Sequence, residues 1–458
     1  MCFRPTALFA AVSALLAFGP AHAMTDAELQ SIVGRRLHGD RTGACFAVAV
    51  IDRTVSRAYV CADGKDAARR IDADTAFEIG SVSKPMMAAL LAGLIRDGKA
   101  SLDDPLSAYL PKDSTVPTFE GKPILLRHIV THTSGLPALP AGVDYDPLNP
   151  YAQVDEATLL KALSNTALAQ APGAKFEYSN FAAMLLSYAI ARRADSDFET
   201  LLDARVFAPL GMGNSYINRK PEHVKAATGY TPDGKVTPAW TFPTVFAGVG
   251  GVRSTLDDMV RYVKGQFGNA PKPLDADFRM THAPLANDAK APIAMHWMLA
   301  SLNGRKFLAH EGGTGGFSSF VAFDPKRAFG VVILSDTALH ARGGLGSLGL
   351  HLLDPKVPLG KPDTGASSPT LVLSADELKA YAGEYPLMPN LVLTVRTEAG
   401  ALTAQATGQG AFPLAATAKD VFEAPYFGIV IRFQRDAAGE VVALKLEQGG
   451  HTLNGKRR

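Results

Sequence analysis

Strand-forming sequence at both ends of a long helical stretch is the feature that most constrains the fold of this chain. Residues 44–52 and 56–62 are rich in apolar and β-branched residues, and residues 317–324 and 329–336 repeat this pattern around "PKRA". Between about residues 100 and 300, helical spacing and Pro/Gly-rich loops dominate. We therefore expect an antiparallel sheet that is closed by the two ends of one domain, with helices between them.

The first 23 residues have the pattern of an export signal. Arg4 precedes the apolar run "ALFAAVSALLAF", and Ala21-His22-Ala23 is a small-x-small cleavage site. A membrane anchor is the alternative, but the run is short for a transmembrane helix, and no later segment reaches that length. We expect a mature protein that begins near Met24, has no transmembrane anchor and is periplasmic.

The composition is that of a folded globular protein, with 47% hydrophobic and 20% charged residues. A net charge of +2 predicts no nucleic-acid partner.

His128 and His132 have zincin spacing, but no glutamate lies between them and no third ligand cluster is evident. "GLGSLG" (344–349) follows a strand, but no second strand ending in an acidic residue comes after it. We expect neither a metal nor a cofactor, and nothing specifies an oligomeric state.

Two cysteines, Cys45 and Cys61, flank a predicted hairpin centred near residue 53. That hairpin would place them opposite each other, and in an oxidising compartment a cross-strand disulfide is plausible. Two buried free thiols are the alternative.

A second domain is predicted after the Pro/Gly-rich segment "GKPDTGASSP". Ser374 and Glu377 have the spacing of a capping box, and from Asn390 onward short β-like runs alternate with turns. We expect a first domain over 24–359, a linker over 360–369 and a small all-β, barrel-like domain over 370–458.

Ser81 and Lys84 lie three residues apart where a helix is predicted to begin, and that helix should end at Asp97-Gly98. Residues three apart share a helix face, so the lysine amine can reach the serine hydroxyl. A serine nucleophile needs such a base, and burial together with the helix N-terminus can lower a lysine pKa enough to supply one. The motif is short enough to arise by chance.

Two further segments add candidate site residues. Tyr178 and Asn180 follow a Pro-Gly turn and precede an apolar helix, where the tyrosine can relay a proton and the amide can bind a substrate amide. Tyr216 and Asn218 have the same spacing in a loop without that setting. "HEGGTGGF" (310–317) directly precedes a strand, where a glycine-rich edge lets backbone approach a ligand and aim an amide at an oxyanion.

The order Ser-x-x-Lys, Tyr-x-Asn, His-x-Gly resembles the serine β-lactamase and penicillin-binding superfamily. It is most similar to class C β-lactamases and AmpH-type D-alanyl-D-alanine carboxypeptidases/endopeptidases. The resemblance covers most of 30–357 and includes "LDDPLSAYLP", "PTFEGKPILLRHIVTHTSGLP", "PGAKFEYSN", "PLGMGNSY", "GVGGVRSTLDDMVRY" and "HEGGTGGFSSFVAFDP". It implies an α/β (α+β) fold whose antiparallel sheet is flanked by helices, with the site between the sheet and an all-helical region.

The resemblance also implies residue roles. Ser81 would be the acylated nucleophile, with Lys84 and Tyr178 sharing general acid/base work and Asn180 orienting the substrate. The oxyanion hole would be the amides of Ser81 and Gly313. His310 and Gly312 would occupy the outer positions of the family's Lys-Thr-Gly triplet, and Glu311 its middle position. The triplet's cation and hydroxyl bind a substrate carboxylate, so their replacement counts against strong β-lactamase activity. A histidine is only partly charged near neutral pH, and Glu311 points away if the strand alternates.

These patterns lead to two hypotheses. The first is an exported serine hydrolase that acts through an acyl-enzyme, with D-alanyl peptides of peptidoglycan as the favoured substrate, a β-lactam second and a small ester third. The second is a non-catalytic binder of cell wall or penicillin, with the β domain as an interaction module.

Overall fold

A computed structural model of the protein describes residues 23–62, 70–143, 145–146, 148–168, 170–285, 292–339, 344–362, 371, 373–388, 391–398, 401–406, 412–424, 429–448 and 451–458. The predicted export signal, apart from Ala23, and the predicted linker beyond residue 362 lie outside these ranges. Within the described ranges, every helix is too short or too polar to span a membrane.

The strands of the first 360 residues form one large sheet and two small ones. They are β1 (Cys45–Ile51), β2 (Val55–Cys61), β3 (Thr75–Glu78), β4 (Lys225–Ala226), β5 (Gly229–Tyr230), β6 (Val236–Thr237), β7 (Arg253–Thr255), β8 (Met298–Leu302), β9 (Arg305–Gly313), β10 (Ser318–Asp324) and β11 (Phe329–Ser335). The large sheet has six antiparallel strands in the order β2-β1-β11-β10-β9-β8. Because β1 lies beside β11, the predicted sheet closed by the two ends of the domain is confirmed.

Helices cover both faces of the large sheet. They are α1 (Asp26–Leu37), α2 (Ser83–Arg96), α3 (Leu126–Val130), α4 (Glu156–Ser164), α5 (Asn180–Ala194), α6 (Phe198–Leu202), α7 (Ala208–Leu210), α8 (Leu256–Lys264), α9 (Leu274–His282) and α10 (Gly346–Leu353). Strand β1 has buried side chains on both faces of the sheet. Phe46 and Val48 pack with α1 and α10, whereas Ala47 and Ala49 pack with the other helices. The expected α/β (α+β) fold, an antiparallel sheet flanked by helices, is therefore confirmed.

Helix α2 carries the Ser-x-x-Lys segment into the protein interior. A single 3₁₀ turn, Gly80–Val82, precedes it, and Pro85 occupies its first turn, where an amide needs no partner. Every residue from Ser83 to Leu94 is buried, and the helix ends at Arg96, followed by the C-cap Asp97 and by Gly98, whose φ is +68°. The predicted helix and its end are therefore confirmed.

Cys45 and Cys61 face each other across the β1–β2 hairpin. Their sulfurs are joined in a disulfide rather than left as two thiols.

The C-terminal residues form a nearly closed, eight-stranded antiparallel barrel. A short helix, α11 (Ala375–Lys379), precedes the strands β12 (Gly383–Met388), β13 (Leu391–Glu398), β14 (Ala401–Ala406), β15 (Phe412–Ala418), β16 (Val421–Ala424), β17 (Ile429–Arg435), β18 (Val441–Gln448) and β19 (His451–Lys456). The Arg458 amide donates to the Glu384 carbonyl (2.9 Å), which links the two ends of the sheet. The predicted capping box of Ser374 and Glu377 is formed.

Candidate active site

Close backbone contact joins the Ser81 turn to the end of β9. Gly80 has a φ of +50°, and a Cβ built on it would lie 2.6 Å from the Gly313 amide nitrogen. A Cβ on Gly312 would lie 2.0 Å from the carbonyl oxygen of Ile79. Glycine at these positions is what allows the strand and the turn to touch, and so brings Ser81 and Gly313 together.

Lys84 is held by three oxygen atoms in the interior. Its Nζ lies 2.9 Å from Ser81 Oγ, 2.8 Å from Asn180 Oδ1 and 2.6 Å from the Val249 carbonyl oxygen. The side chain has no exposed surface. This burial holds the pKa of the Lys84 amine well below its usual value.

The hydrogen-bond partners determine where the lone pair of a neutral Lys84 points. The carbonyl oxygens of Asn180 and Val249 can only accept, so they take the two N–H groups of a neutral amine. The third direction faces Ser81 Oγ, which can donate its proton. In the neutral form, the amine is therefore oriented to accept the proton of Ser81.

Tyr178 lies beside this pair with its hydroxyl buried. Lys84 Nζ is 5.0 Å from the centroid of its ring. Among the described residues, the hydroxyl has no hydrogen-bond partner of ordinary geometry. Burial raises the pKa of Tyr178 above its usual value, and the nearby Ser81 hydroxyl offsets only part of that effect. The pKa values of lysine and tyrosine are thus shifted in opposite directions, which suits a base and an acid in one site.

The alternative pair, Tyr216 and Asn218, lies in other surroundings. Tyr216 packs with Ala76 and Val224, and the Asn218 backbone amide donates to the Glu199 carboxylate. Neither residue is among the contacts of Lys84.

Asn180 is oriented because it is the first residue of α5. Ser179 caps that helix, its hydroxyl accepting from the Ala182 amide (2.9 Å) and donating to the Pro137 carbonyl (2.6 Å). The Asn180 backbone amide donates to the Ala138 carbonyl (2.9 Å). With Oδ1 directed at Lys84, the Asn180 amide nitrogen remains as a donor on the same side chain.

His310 and Glu311 point to opposite faces of β9. The His310 ring is buried, 6.4 Å from the Tyr178 ring centroid, and its Nδ1 donates to the Glu311 carbonyl (2.7 Å). Burial first, and then the nearby Lys84, lower the pKa of His310 to about 3. The Glu311 carboxylate instead reaches Gly346 on α10, where Oε1 lies 2.6 Å from the position of a Cβ. The alternation expected for Glu311 is confirmed, but His310 is neutral rather than partly charged near neutral pH.

An aromatic wall borders the pocket in front of Ser81. The pocket has a volume of about 340 Å³, part of it open to solvent, and is lined by Ser81, Asn180, Gly250 and Gly313 together with Tyr151, Trp240 and Phe242. Tyr151 stacks on Phe242 at 4.8 Å and meets Trp240 edge-on at 5.5 Å. These aromatic residues were missed in the sequence because they lie in loops without a periodic pattern.

His132 was also missed, since the sequence singled it out only for its zincin spacing with His128. Its ring stacks on Tyr178 at 4.2 Å. Its position in "THTSGLP", within the segment that carries the resemblance, was the available signal. Across the residues the structure describes, no group of three or more His, Cys, Asp or Glu side chains is arranged to hold a metal ion.

Comparisons with known proteins identify what the chain is similar to. The family model described as Beta-lactamase matches residues 25–344, and a domain of unknown function (DUF3471) matches residues 372–457. The D-alanyl-D-alanine-carboxypeptidase/endopeptidase AmpH of Escherichia coli K12 is 29% identical over 281 residues, covering 57% of this chain and 71% of AmpH. A beta-lactamase of the same organism is 30% identical over 304 residues, covering 57% of this chain and 75% of that protein.

Solved structures of D-alanine carboxypeptidases are similar to this chain as well. A beta-lactamase/D-alanine carboxypeptidase from Yersinia pestis is 26% identical, with a TM-score of 0.55 over 65% of this chain and 88% of that one. The D-alanine carboxypeptidase AmpC from Burkholderia cenocepacia is also 26% identical, with a TM-score of 0.53 over 68% and 93%. The match over residues 25–344 spans most of the chain. This protein therefore belongs to the beta-lactamase family and is a serine hydrolase of the DD-peptidase/β-lactamase type.

Proposed function

We propose that this protein is an exported D-alanyl-D-alanine carboxypeptidase/endopeptidase that cleaves peptidoglycan peptides through an acyl-enzyme on Ser81. The observation that carries the proposal is the contact of the buried Lys84 amine with Ser81 Oγ at 2.9 Å, with its other two contacts to acceptors only. That arrangement is the one a neutral lysine needs to act as the base for a serine.

Acylation follows from the contacts around Ser81. Lys84 accepts the Ser81 hydroxyl proton as Oγ bonds to the substrate carbonyl carbon. The resulting oxyanion faces the backbone amides of Ser81 and Gly313, and the Asn180 amide nitrogen donates to the substrate amide.

The tetrahedral intermediate then collapses. The bond to the leaving nitrogen breaks, and that nitrogen takes a proton from the Tyr178 phenol. The phenolate recovers a proton from the Lys84 ammonium. In the second half-reaction, water attacks the acyl-enzyme, its proton passes to Lys84, and Ser81 Oγ leaves with that proton as the acid is released.

The substrate class and location rest on separate observations. AmpH and the D-alanine carboxypeptidases, which are similar to this chain, support the substrate class. Beta-lactamases are similar to it at about the same identity. The signal-like N-terminus and the Cys45–Cys61 disulfide both suit an oxidising compartment outside the cytoplasm. A β-lactam is the second candidate substrate.

A panel of substrates tests the proposal. Purified protein is assayed side by side for D-alanine release from a D-alanyl-D-alanine peptide, nitrocefin hydrolysis and p-nitrophenyl ester cleavage. We expect D-alanine release by the wild type and none by Ser81→Ala, which should also lose labelling by a fluorophosphonate, a serine probe without a carboxylate. Equal labelling of Ser81→Ala would refute the nucleophile, and acylation without turnover on any substrate would favour a non-catalytic binder.

A further inference from the structure

The aromatic wall is fixed in place by contacts from two directions. Asn149, two residues before Tyr151, donates to Thr241 Oγ1 (2.8 Å) and accepts from the Thr241 amide (2.9 Å). The Trp240 amide donates to the Glu78 carboxylate (2.9 Å), and the Trp240 carbonyl accepts from Arg253. These contacts tie the two segments of the wall to each other and to the body of the domain, so the aromatic rings stand ready beside the pocket.

The pocket beside this wall offers a carboxylate the Thr314 hydroxyl but no cation from the part of the chain that the structure describes. None of the described residues that line it is lysine, arginine or histidine. His310, where the family triplet has its cation, is buried, and its Nδ1 proton is taken by the Glu311 carbonyl. The buried Lys84 already contacts three protein oxygens. A carboxylate brought here would lose its water without gaining a cation.

We propose that the site selects acyl donors without a free C-terminal carboxylate, such as internal D-alanyl bonds and C-terminal amides. An apolar group of the substrate then lies against Tyr151, Trp240 and Phe242. This inference rests on the proposed function and narrows it, because it places endopeptidase chemistry ahead of carboxypeptidase chemistry.

A matched pair of peptides tests this selection. Diacetyl-L-Lys-D-Ala-D-Ala and its C-terminal amide differ only in the terminal charge, and release of D-alanine or D-alaninamide is measured by mass spectrometry. We expect kcat/KM to favour the amide by about tenfold or more, since the acid must bury an unpaired charge. His310→Lys should shift this ratio towards the acid, whereas the neutral control His310→Gln should leave the ratio unchanged.

The outcomes separate the two proposals. Faster cleavage of the acid by the wild type would overturn the selection while supporting the proposed function. Cleavage of neither peptide would overturn the proposed function, and the selection with it.

A second inference concerns the buried pair His132 and His296. The Ser179 amide donates to His132 Nδ1 (3.5 Å), so the single proton of a neutral ring lies on Nε2. That nitrogen is 3.2 Å from His296 Nδ1, which must then accept. Both rings are buried, and burial lowers the pKa of each well below its usual value. One tautomer of each histidine is therefore specified.

The backbone around these histidines is unusual as well. His132 and His296 have φ values of +53° and +61°, a region that side-chain-bearing residues seldom occupy. Such conformations cluster at functional sites. Within the described part of the chain, His296 Nε2 is buried without a partner.

We infer that His132 is a positioning residue for Tyr178, its uncharged ring fixing the phenol for proton donation to the leaving group. This inference also rests on the proposed function. A proton donor matters for a poor leaving group such as an amine, and little for p-nitrophenolate. The dependence on leaving group therefore separates a positioning role from a general loss of structure.

The test uses His132→Asn, because asparagine tolerates a positive φ but lacks the stacked ring. We expect peptide cleavage to fall about tenfold or more, while p-nitrophenyl ester cleavage changes less than about threefold. On a Tyr178→Phe background, the same change should cost nothing further. Equal losses on both substrates, or additive losses in the double variant, would overturn the inference. If His132→Asn does not fold, His296→Asn replaces the ring that accepts the His132 Nε2 proton. The same loss on the peptide and not on the ester is then expected.

Discussion

The amine of Lys84 and the hydroxyl of Ser81 lie 2.9 Å apart, one helical turn from each other, and the lysine side chain has no access to solvent. Burial lowers the pKa of the amine, so the neutral form is populated at a lower pH than for an exposed lysine. The lowered pKa of the Lys84 amine is therefore a consequence of the burial of helix α2 in the protein interior.

This contact predicts the pH dependence of acylation. Only neutral Lys84 can take the Ser81 proton, so kcat/KM should rise with pH and level off below the ordinary lysine range near 10.5. The pKa of His310 is lowered to about 3, so its titration cannot produce a limb near neutrality. The measurement is kcat/KM for a p-nitrophenyl ester against pH, corrected for buffer hydrolysis. A rate that keeps rising through pH 10.5 would contradict a lowered lysine pKa.

Gly312 should not tolerate even one added carbon. A Cβ there would meet the Ile79 carbonyl oxygen at 2.0 Å, and that oxygen belongs to the backbone that leads into the Ser81 turn. We expect Gly312→Ala to lower the free energy of unfolding by about 1–3 kcal/mol and to reduce activity by separating β9 from Ser81.

The matched control is Gly34→Ala. Gly34 lies inside α1 with nothing within 4 Å of a built Cβ, so alanine should raise stability by about 0.5–1 kcal/mol. Urea unfolding and ester cleavage of both variants give the comparison. Unchanged activity in Gly312→Ala would contradict the close contact.

The Cys45–Cys61 disulfide should stabilise the first sheet. It closes a loop with a sequence separation of 16, for which loop-closure entropy predicts about 3 kcal/mol. Both cysteines are buried, so alanine is a suitable replacement, and the double variant should unfold at a lower temperature. A reductant should lower the unfolding temperature of the wild type by a similar amount. A reductant that shifts the double variant as well would show that another group is responsible.

The buried ion pair of Arg253 and Glu78 should be needed to hold the aromatic wall. Their closest atoms are 3.2 Å apart, and the side chains are only 12% and 6% exposed. Arg253→Leu leaves the Glu78 carboxylate buried without its cation, which should cost about 3–5 kcal/mol. Adding Glu78→Gln should recover part of that loss. Unfolding of the three variants in urea measures the effect, and no recovery in the double variant would count against the charge as its cause.

The sequence by itself was sufficient for features that depend on neighbouring residues. The spacing of Ser81 and Lys84 places them on one face of a helix whatever surrounds it. The strands around Cys45 and Cys61, the capping box at Ser374, and the β pattern after Asn390 are local signals of the same kind. The order of the motifs then identified the family, and with it the expected antiparallel sheet.

Only the tertiary structure decided the electrostatic character of the site. Asn180 and Val249 are distant from Lys84 in sequence, yet their oxygens orient its amine. The stack of His132 on Tyr178 and the neutral state of His310 depend on burial produced by several elements at once. Periodicity predicts which face of an element is apolar, but desolvation and hydrogen bonding are properties of all the elements that meet around a group. That is why sequence could propose the nucleophile and its base, while the residues that line the pocket beside them emerged only from the fold.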